Sequence, residues 1–189
     1  APKADLQGGY ASQLVCRRVT TWLDSELKAG TCRRRIFTAT NDGYVHAVDG
    51  STGQELWAFI PKEHLPNLTK LFFNPESSFK NYGVDGDIVP VTKDVDRDGV
   101  IESADGDFVY IIFGMRRGGK AYYAFDITSP ENPDLMWTLE KGGDFSELGY
   151  TFSNPRVGLV NTPSGPTPAI MFAGGYDLNK DTRGSVGTD

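Results

Sequence analysis

The sequence predicts a mainly β protein made of short antiparallel strands. The chain of 189 residues contains 22 Gly, 11 Pro, 8 Tyr and 11 Phe, a mixture typical of strands joined by tight turns. After Arg33, stretches rich in β-branched and aromatic residues alternate with clusters of Gly, Asn, Asp and Ser. A short motif also recurs in the two best-defined groups of strands. We therefore expect a repeated antiparallel sheet.

Composition and charge exclude several classes of protein. With 39% hydrophobic and 23% charged residues, the chain is an ordinary globular protein with enough material for one substantial core. No apolar run approaches the roughly 20 residues that span a bilayer. The 19 Lys and Arg against 25 Asp and Glu give a net charge of −6, so we expect no nucleic acid as partner.

The first part of the chain, residues 1–32, is predicted to be a helical segment leading into the domain. Apolar side chains at three- and four-residue steps predict an amphipathic helix over 13–29 that ends at Gly30; they are Val15, Val19, Trp22, Leu23 and Leu27. In an exported protein Cys16 and Cys32 would pair, and the alternative is two buried thiols. Their spacing lacks the C-x-x-C steps of a zinc site.

The first group of strands lies in residues 33–60. The stretches IFTAT, GYVHAVD and ELWAF are separated by the turn signals NDG and STG, which predicts a three-strand meander over 36–60. Prolines then interrupt the pattern over 61–83. We expect this insertion to be a loop with one short helix that packs on the sheet through apolar side chains; these are Leu65, Leu68, Leu71, Phe72 and Phe73.

A second group of strands lies within residues 84–141. Strand signals follow one another as DIVPVT, DFVYIIFG, AYYAFDI and LMWTLE, at 87–92, 107–114, 121–127 and 135–140. Four strands in succession predict one antiparallel sheet. Two more stretches, at 152–160 and 169–176, begin a third group within 148–189 that the sequence does not complete.

An internal repeat relates the first two groups. The motif Ala47-Val48-Asp49, followed by Trp57, recurs as Ala124-Phe125-Asp126, followed by Trp137. This pattern is typical of a propeller blade: a small residue lies beside the crowded inner strand, an Asp anchors a turn, and a Trp covers the sheet. We therefore predict that residues 33–189 are a partial, modified β-propeller of four-stranded blades. The remainder of a larger propeller is then an expected partner, because blades bury their faces on one another.

The most informative motif for function is an acidic loop. Eight acids lie between positions 85 and 107, and in Asp94-Val-Asp96-Arg-Asp98-Gly99-Val100-Ile-Glu102 they alternate around a glycine. Carboxylates at alternate positions of a curled loop supply the six to eight oxygens that Ca²⁺ takes, and the glycine permits the turn. The predicted ligands are Asp94, Asp96, Asp98, the carbonyl of Val100 and Glu102.

Three alternatives at this loop remain open. Asp105 competes with Glu102 to close the site, as in a helix-flanked EF-hand, but the strands on both sides favour a nine-residue β-loop. Mg²⁺ is a poorer fit because it retains its waters. A solvated acidic turn without metal would leave carboxylates ~4 Å apart repelling by about 4 kcal/mol at an effective dielectric of 20.

The remaining acidic, basic and histidine side chains give weaker indications of function. The step Asp177-Leu-Asn179-Lys-Asp181 is a second acidic pattern but lacks the glycine, so it is either a weaker metal site or a polar loop. Neither His46 nor His64 neighbours a serine or cysteine in a recognisable nucleophile setting, and we predict no catalytic residues and no enzyme activity. The basic groups at 33–35 and 116–117 are either solvated or face an acidic partner.

Three stretches together resemble a known family: ATNDGYVHAVDGSTGQELWAFIPKEHLPNL at 39–68, VDGDIVPVTKDVDRDG at 84–99, and FGMRRGGKAYYAFDIT at 113–128. They are similar to the C-terminal propeller domain of the PilC/PilY family of type IV pilus biogenesis factors and tip-associated adhesins. The resemblance implies a propeller exported through the periplasm to the bacterial cell surface, with Ca²⁺ in one D-x-D-x-D-G-x-x-D loop. Glu102 stands where the family usually has Asp.

In that family the metal state of the loop regulates pilus extension against retraction, and the protein helps cells attach to surfaces. The resemblance thus implies, as partners, major or minor pilins and a receptor on a host cell or an abiotic surface. Two other functions use similar blades. One is a quinone-dependent dehydrogenase, whose blades share the Ala-x-Asp and Trp pattern, and the other is an integrin-like module with structural calcium.

Overall fold

The structure is a computed structural model that describes residues 10–11, 35–76, 80–98 and 101–181. The predicted helix over 13–29 and the two cysteines, Cys16 and Cys32, lie outside the described residues. None of the helices within the described ranges is both long and apolar enough to cross a membrane.

The first sheet has four antiparallel strands in the order in which they occur along the chain. They are β1 (Tyr10–Ala11), β2 (Arg35–Ala39), β3 (Val45–Asp49) and β4 (Glu55–Phe59). The predicted meander over 36–60 is confirmed as β2, β3 and β4. The sequence did not predict β1, a two-residue strand that pairs Tyr10 with Thr38 at the edge of β2, because two residues show no alternation.

The second sheet also has four antiparallel strands in chain order, as predicted. They are β5 (Ile88–Lys93), β6 (Phe108–Gly114), β7 (Ala121–Asp126) and β8 (Asp134–Glu140). Strand β7 is buried along most of its length and β8 is largely exposed. Strand β7 therefore lies against the core, whereas β8 lies towards solvent.

A two-stranded antiparallel sheet follows, formed by β9 (Arg156–Thr162) and β10 (Gly165–Met171). The predicted third group of strands is confirmed, with both strands shifted along the chain. Strand β9 begins directly after Pro155, at Arg156, which pairs with Met171 at the end of β10. An isolated bridge between Tyr150 and Tyr176 ties the two ends of this segment together.

The internal repeat has the same three-dimensional form in both four-stranded sheets. Ala47 pairs with Trp57 across β3 and β4, and the register then shifts between Ala47 and Val48. Ala124 pairs with Trp137 across β7 and β8, and the register shifts between Ala124 and Phe125. A β-bulge at the same step of both copies confirms that the sequence repeat is a structural repeat. The mainly β, blade-like architecture predicted from the motif is thus observed.

Aromatic side chains fill the contact between the two sheets. The ring of Phe59 lies edge-on to three rings of the second sheet, with centroid distances of 6.4 Å to Phe113, 5.4 Å to Tyr123 and 4.7 Å to Phe125. Such edge-to-face pairs add about 1 kcal/mol each to the burial of the rings. The two sheets therefore share one hydrophobic core, which also includes Trp57 as a partly buried member.

The insertion after β4 contains a 3-10 helix (Lys62–Asn67) followed directly by α1 (Leu68–Phe73). The predicted short helix is present, but the prediction that it packs on the sheet is wrong for three of its side chains: Leu71 is 37%, Phe72 82% and Phe73 72% exposed. The 3-10 helix makes the attachment instead. His64 is buried there, whereas no residue of the six-residue α1 is fully buried.

Polar contacts hold this 3-10 helix to the second sheet. The Tyr123 hydroxyl donates a hydrogen bond of 2.6 Å to Glu63, and Lys62 lies 2.6 Å from Glu140 in an exposed ion pair. Burial and the Glu63 contact raise the pKa of the Tyr123 hydroxyl well above its usual range, so this group stays a neutral donor. The start of the insertion is therefore fixed to the second sheet, and its last residue, Gly83, donates its N–H to Asn41 Oδ1 at 3.4 Å beside the first sheet.

Candidate metal site

The acidic loop connects two neighbouring antiparallel strands. Strand β5 ends at Lys93 and β6 begins at Phe108, so the loop leaves and re-enters the same sheet. Its only regular element among the described residues is one 3-10 turn, Ser103–Asp105. The loop therefore has the strand-flanked setting that separates it from an EF-hand, which has a helix on each side.

Asp107 organises the inside of the loop. Its side chain is 5% exposed, and its two carboxylate oxygens accept hydrogen bonds from two backbone N–H groups on opposite sides of the loop. The N–H of Val95 donates to Oδ1 at 2.7 Å, and the N–H of Glu102 donates to Oδ2 at 3.0 Å. One buried carboxylate thus ties the start of the loop to its later part.

Asp94 and Asp96 shape the first turn of the loop. Asp94 Oδ1 accepts a hydrogen bond of 2.6 Å from the N–H of Arg97, and Asp96 Oδ1 accepts one of 3.2 Å from the N–H of Asp98. Arg97, which lies between Asp96 and Asp98, has a φ of 64°, in the left-handed region that residues with a side chain seldom occupy. The chain therefore curls tightly here, as the alternating acids predict.

Three carboxylates converge in this arrangement. Asp94, Asp96 and Asp107 each offer an oxygen atom, and these atoms lie within 4.8 Å of one another. Asp94 is half-buried, Asp96 exposed and Asp107 buried. In the part of the chain that the structure describes, this is the one group of three or more Asp, Glu, His or Cys residues that meets this spacing.

The structure thus brings together two of the predicted ligands, Asp94 and Asp96, and adds Asp107. Asp98 and Glu102 are not members of this group of three, and Val100 lies outside the described residues. Asp107 belongs to the run of eight acids, but it comes five residues after Glu102, beyond the nine-residue pattern. A search for a buried acid at the start of the next strand would have found it.

Negative charge is crowded in the loop. The pKa of the Asp96 carboxyl lies above its usual value. The hydrogen bond from the N–H of Asp98 lowers this pKa, whereas desolvation and the negative charge of Asp98 raise it. A hydrogen bond with Asp94 and the charge of Asp107 raise it further, and the upward effects prevail. Desolvation and like charges at short range thus destabilise the ionised form of Asp96.

Glu102 and Asp105, the two candidates for closing the site, lie against each other. Their side-chain hydrogen bond is the largest cause of the raised pKa of Glu102, followed by desolvation and the negative charge of Asp105. The N–H of Asp105 also donates to the carbonyl oxygen of Glu102, at 3.1 Å. Because the carboxyls of Glu102 and Asp105 lie against each other, the structure favours neither of them as the ligand that closes the site.

The chemistry of this group fits a hard cation. Its donors are carboxylate oxygens, without the imidazole or thiolate ligands that zinc and copper prefer. A divalent cation among them would offset the repulsion that raises the pKa of Asp96. The flexible shell of six to eight oxygens that Ca²⁺ accepts also suits a loop of this length better than the strict octahedron of Mg²⁺.

The second acidic step has local partners. Asn179 N–H donates a hydrogen bond of 3.0 Å to Asp177, and the Tyr176 hydroxyl donates to Asp181. These residues surround a 3-10 turn, Leu178–Asp181. The Tyr176 contact and the turn give this segment a structural role, and its metal binding stays a prediction.

The two histidines also have defined surroundings. His46 Nδ1 lies 2.7 Å from Glu55 on the neighbouring strand, and His64 Nδ1 lies 3.5 Å from Asn67. Burial lowers the pKa of His64, although the charge of Glu63 and the backbone of Gly83 oppose the shift. These contacts are to acidic, amide and backbone groups, and the absence of enzyme activity stays a prediction.

Comparison with known proteins places the chain in a family. Residues 19–185 match the family model described as the PilY1 beta-propeller domain. The type IV pilus biogenesis factor PilY1 of Pseudomonas aeruginosa strain UCBPP-PA14 is 31% identical over 148 residues, which are 78% of this chain and 12% of that protein. A PilY1 homolog of Xylella fastidiosa is 30% identical over 146 residues, which are 77% of this chain and 11% of that protein.

A solved structure agrees with this assignment. The crystal structure of the Pseudomonas aeruginosa PilY1 C-terminal domain superposes with a TM-score of 0.52 at 28% sequence identity, over 76% of this chain and 25% of that one. The chain therefore spans about one eighth of the curated relatives that it matches. The resemblance to the PilC/PilY family is confirmed, and the chain belongs to the PilY1 β-propeller family.

Proposed function

We propose that this chain is part of a type IV pilus biogenesis factor that binds Ca²⁺ through the loop between β5 and β6. Membership of the PilY1 β-propeller family supports the pilus role. The convergence of Asp94, Asp96 and Asp107 within 4.8 Å is the observation that supports the metal. The factor acts at the bacterial cell surface as an assembly and adhesion protein and not as an enzyme.

The residues that would hold the ion are the three converging acids, with Asp98, Glu102 and the carbonyl of Val100 completing the shell as the sequence predicts. Bound Ca²⁺ supplies positive charge that offsets the crowded carboxylates. The chain itself fixes the shape of the loop, because Asp107 accepts hydrogen bonds from the N–H groups of Val95 and Glu102 on its two sides.

The position of the loop connects metal binding to the fold. Strands β5 and β6 pair along six residues each, and β6 contributes Val109, Ile111 and Phe113 to the shared core. A change in the loop therefore acts directly on two paired strands. We propose that this connection makes calcium occupancy a regulator of pilus extension against retraction and of surface attachment, with pilins, a surface receptor and the remainder of the propeller as partners.

Calorimetric titration of the 189-residue chain with Ca²⁺ tests the metal site. We expect binding that is lost in Asp94→Asn and Asp96→Asn, since each variant removes one carboxylate charge from the group of three. Asp144→Asn, an exposed acid outside the loop, is the matched control and is expected to bind as the parent chain does. Unchanged binding in both loop variants would refute the assignment.

Replacing the loop acids in the complete gene of the source bacterium tests the pilus role. We expect the Asp94→Asn, Asp96→Asn double variant to change surface piliation and pilus-driven movement at equal protein level. If piliation and movement stayed at the wild-type level although calcium binding was lost, the pilus role would not depend on the metal site. A stoichiometric quinone chromophore in the purified protein would instead favour the dehydrogenase alternative.

A further inference from the structure

The two tryptophans of the internal repeat have different surroundings. Trp57, in β4, stacks on the Phe125 ring of the second sheet, and its indole N–H donates to the carbonyl oxygen of Pro130. Trp137 holds the same place in β8, opposite the alanine of its motif and beside a register shift. Among the described residues, however, Trp137 has neither a ring contact nor a hydrogen-bond partner for its indole. One of two equivalent tryptophans is therefore docked on a neighbouring sheet and the other is not.

Strand pairing shows which face of the second sheet carries Trp137. Side chains directly opposite each other on paired antiparallel strands point to the same face. Ile112 lies opposite Ala124, and Ala124 lies opposite Trp137, so these three share one face. Phe113, the next residue of β6, belongs to the other face and contacts Phe59 of the first sheet. The face with Trp137 therefore points away from the first sheet.

The third group of strands covers only part of this face. We call it the Trp137 face, and its members are Ile112, Tyr122, Ala124, Trp137 and Leu139. The Tyr122 ring lies 4.6 Å from that of Phe172, and its hydroxyl donates to the carbonyl oxygen of Ser153 at 2.8 Å. The members on β6 and β7 are buried, whereas Trp137 and Leu139 on β8 are half-buried. The part of the face on β8 is therefore the part that remains open.

The repeat shows which part of a neighbouring sheet fits there. The contacts of Trp57 are in β7, the third strand of the second sheet, and in the connection from β7 to β8. The third group contains β9 and β10, and within the described residues β10 has a strand partner on one side alone. A third strand on the open side of β10 and the connection after it would therefore supply the counterpart for Trp137.

Relatives in this family are longer than these 189 residues. The chain covers 25% of the solved PilY1 C-terminal domain and 12% of the PilY1 protein of strain UCBPP-PA14. A four-stranded blade takes about 40 to 50 residues, so these relatives contain enough chain for further strands and blades. Their length supports a segment of the same polypeptide as the occupant of the Trp137 face.

We propose that the Trp137 face is the docking surface for a third sheet of the same polypeptide, completed by residues that follow this chain. The third strand of that sheet places an aromatic or branched side chain against Trp137, as Phe125 lies against Trp57. The connection after it offers a backbone carbonyl to the indole, as Pro130 does to Trp57. The proposal rests on the repeat and on family membership, and it uses no property of the calcium loop.

A second copy of this chain is a poorer occupant. The side of β7 on which a Trp docks is already covered, because the Phe59 ring lies 4.7 Å from that of Phe125. The carbonyl oxygen of the buried Pro130 already accepts a hydrogen bond from Trp57. A neighbouring copy therefore cannot offer Trp137 the contacts that the second sheet offers Trp57.

Hydroxyl-radical footprinting of the unchanged protein tests the docking, because it measures the exposure of single tryptophan side chains. The product of the complete gene is compared with the 189-residue chain. We expect Trp137 to be oxidised more slowly in the complete protein, and Trp57 to be oxidised at the same rate in both. An equal rate for Trp137 in the two proteins would overturn the proposal.

Removal of the indole N–H tests the hydrogen bond. Trp137→Phe keeps an aromatic ring and should speed hydrogen exchange of the β8 amides. We expect this increase to be about fivefold larger in the complete protein than in the 189-residue chain, the effect of one hydrogen bond. Trp57→Phe is the matched control and should speed exchange in β4 by the same factor in both. An equal increase for Trp137→Phe in both proteins would show that its indole gains no partner, against the proposal.

Ending the gene product at Asp189 tests where the covering segment comes from. We expect Trp137 in this product to be oxidised as fast as in the 189-residue chain. If it kept the protection seen in the complete protein, a region before this chain would cover the face. An oxidation rate that falls with rising concentration of the 189-residue chain would identify a second copy. Either of these two results would overturn the proposal.

Discussion

The indole Nε1 of Trp57 donates a hydrogen bond of 2.7 Å to the carbonyl oxygen of Pro130. Trp57 belongs to β4 of the first sheet, and Pro130 lies in the connection between β7 and β8 of the second. The same ring stacks on Phe125, with centroids 6.3 Å apart. The Trp of the repeated motif therefore joins its own sheet to the next one, as a Trp that covers a blade is expected to do.

Replacing Trp57 by Phe should lower the free energy of unfolding by more than the same change at Trp137. Both residues pair with the Ala of the repeat, but only Trp57 has an indole hydrogen bond among the described residues. We expect Trp57→Phe to cost about 1 kcal/mol beyond Trp137→Phe, the usual net contribution of one hydrogen bond. Urea unfolding followed by circular dichroism measures both, and equal losses would show that the Pro130 contact contributes nothing.

Replacing Asp107 by Asn should loosen the metal loop even without metal. The amide has one acceptor oxygen, so either Val95 or Glu102 loses the acceptor for its N–H group. We expect a loss of about 2 kcal/mol in the free energy of unfolding and weaker calcium binding. Thermal unfolding with and without 5 mM CaCl2 measures both effects.

The control for Asp107 is Asp105→Asn. Asp105 is exposed and adds negative charge beside Glu102, so its change should leave stability within about 0.5 kcal/mol. If Asp105→Asn abolished calcium binding and Asp107→Asn left it intact, the twelfth residue of the loop would close the site, and Asp107 would serve the loop's structure alone.

Acidification should destabilise the domain through His64. Its folded pKa is depressed by burial, so the unfolded chain takes up the proton first as pH falls below the ordinary value near 6.5. The contribution of His64 is therefore constant above pH 6.5, declines as pH falls from there to the folded pKa, and is constant again below it.

Urea midpoints between pH 8 and pH 5 measure this dependence. The variant His64→Gln should be less stable at pH 8 and should lose part of the decline. A decline that persists unchanged in His64→Gln would assign the pH dependence to other groups.

Gly118→Ala should destabilise the junction between the sheets. A Cβ added at Gly118 would lie 1.7 Å from the carbonyl oxygen of Gly83 and 3.2 Å from His64 Cε1. Because the nearest obstacle is backbone, we expect a loss of about 3 kcal/mol. Gly174→Ala, where nothing lies within 4 Å of the added atom, should change stability by less than about 0.5 kcal/mol. Similar urea midpoints for the two variants would contradict the close approach.

Local patterns predicted most of the fold. Strand alternation and turn residues identified every strand of the two four-stranded sheets except β1, and the repeat of Ala, Asp and Trp predicted that the two sheets are equivalent. These signals are local because the period of a strand and the chemistry of a turn depend on neighbouring residues. The exposed Phe72 and Phe73 show the limit, since an apolar helix face does not reveal whether any surface is there to receive it.

The alternation of carboxylates around a curled loop could be predicted from the sequence, because their spacing is a property of adjacent residues. Which of these carboxylates meet depends on how the strands pair. Strand pairing returns the chain at β6 and brings Asp107 beside Asp94 and Asp96, while Glu102 turns towards Asp105. The same holds for the turn between β6 and β7, which Thr151 joins to the segment that carries Phe152. Distances between residues far apart in the chain depend on sheet register and packing, which no local pattern encodes.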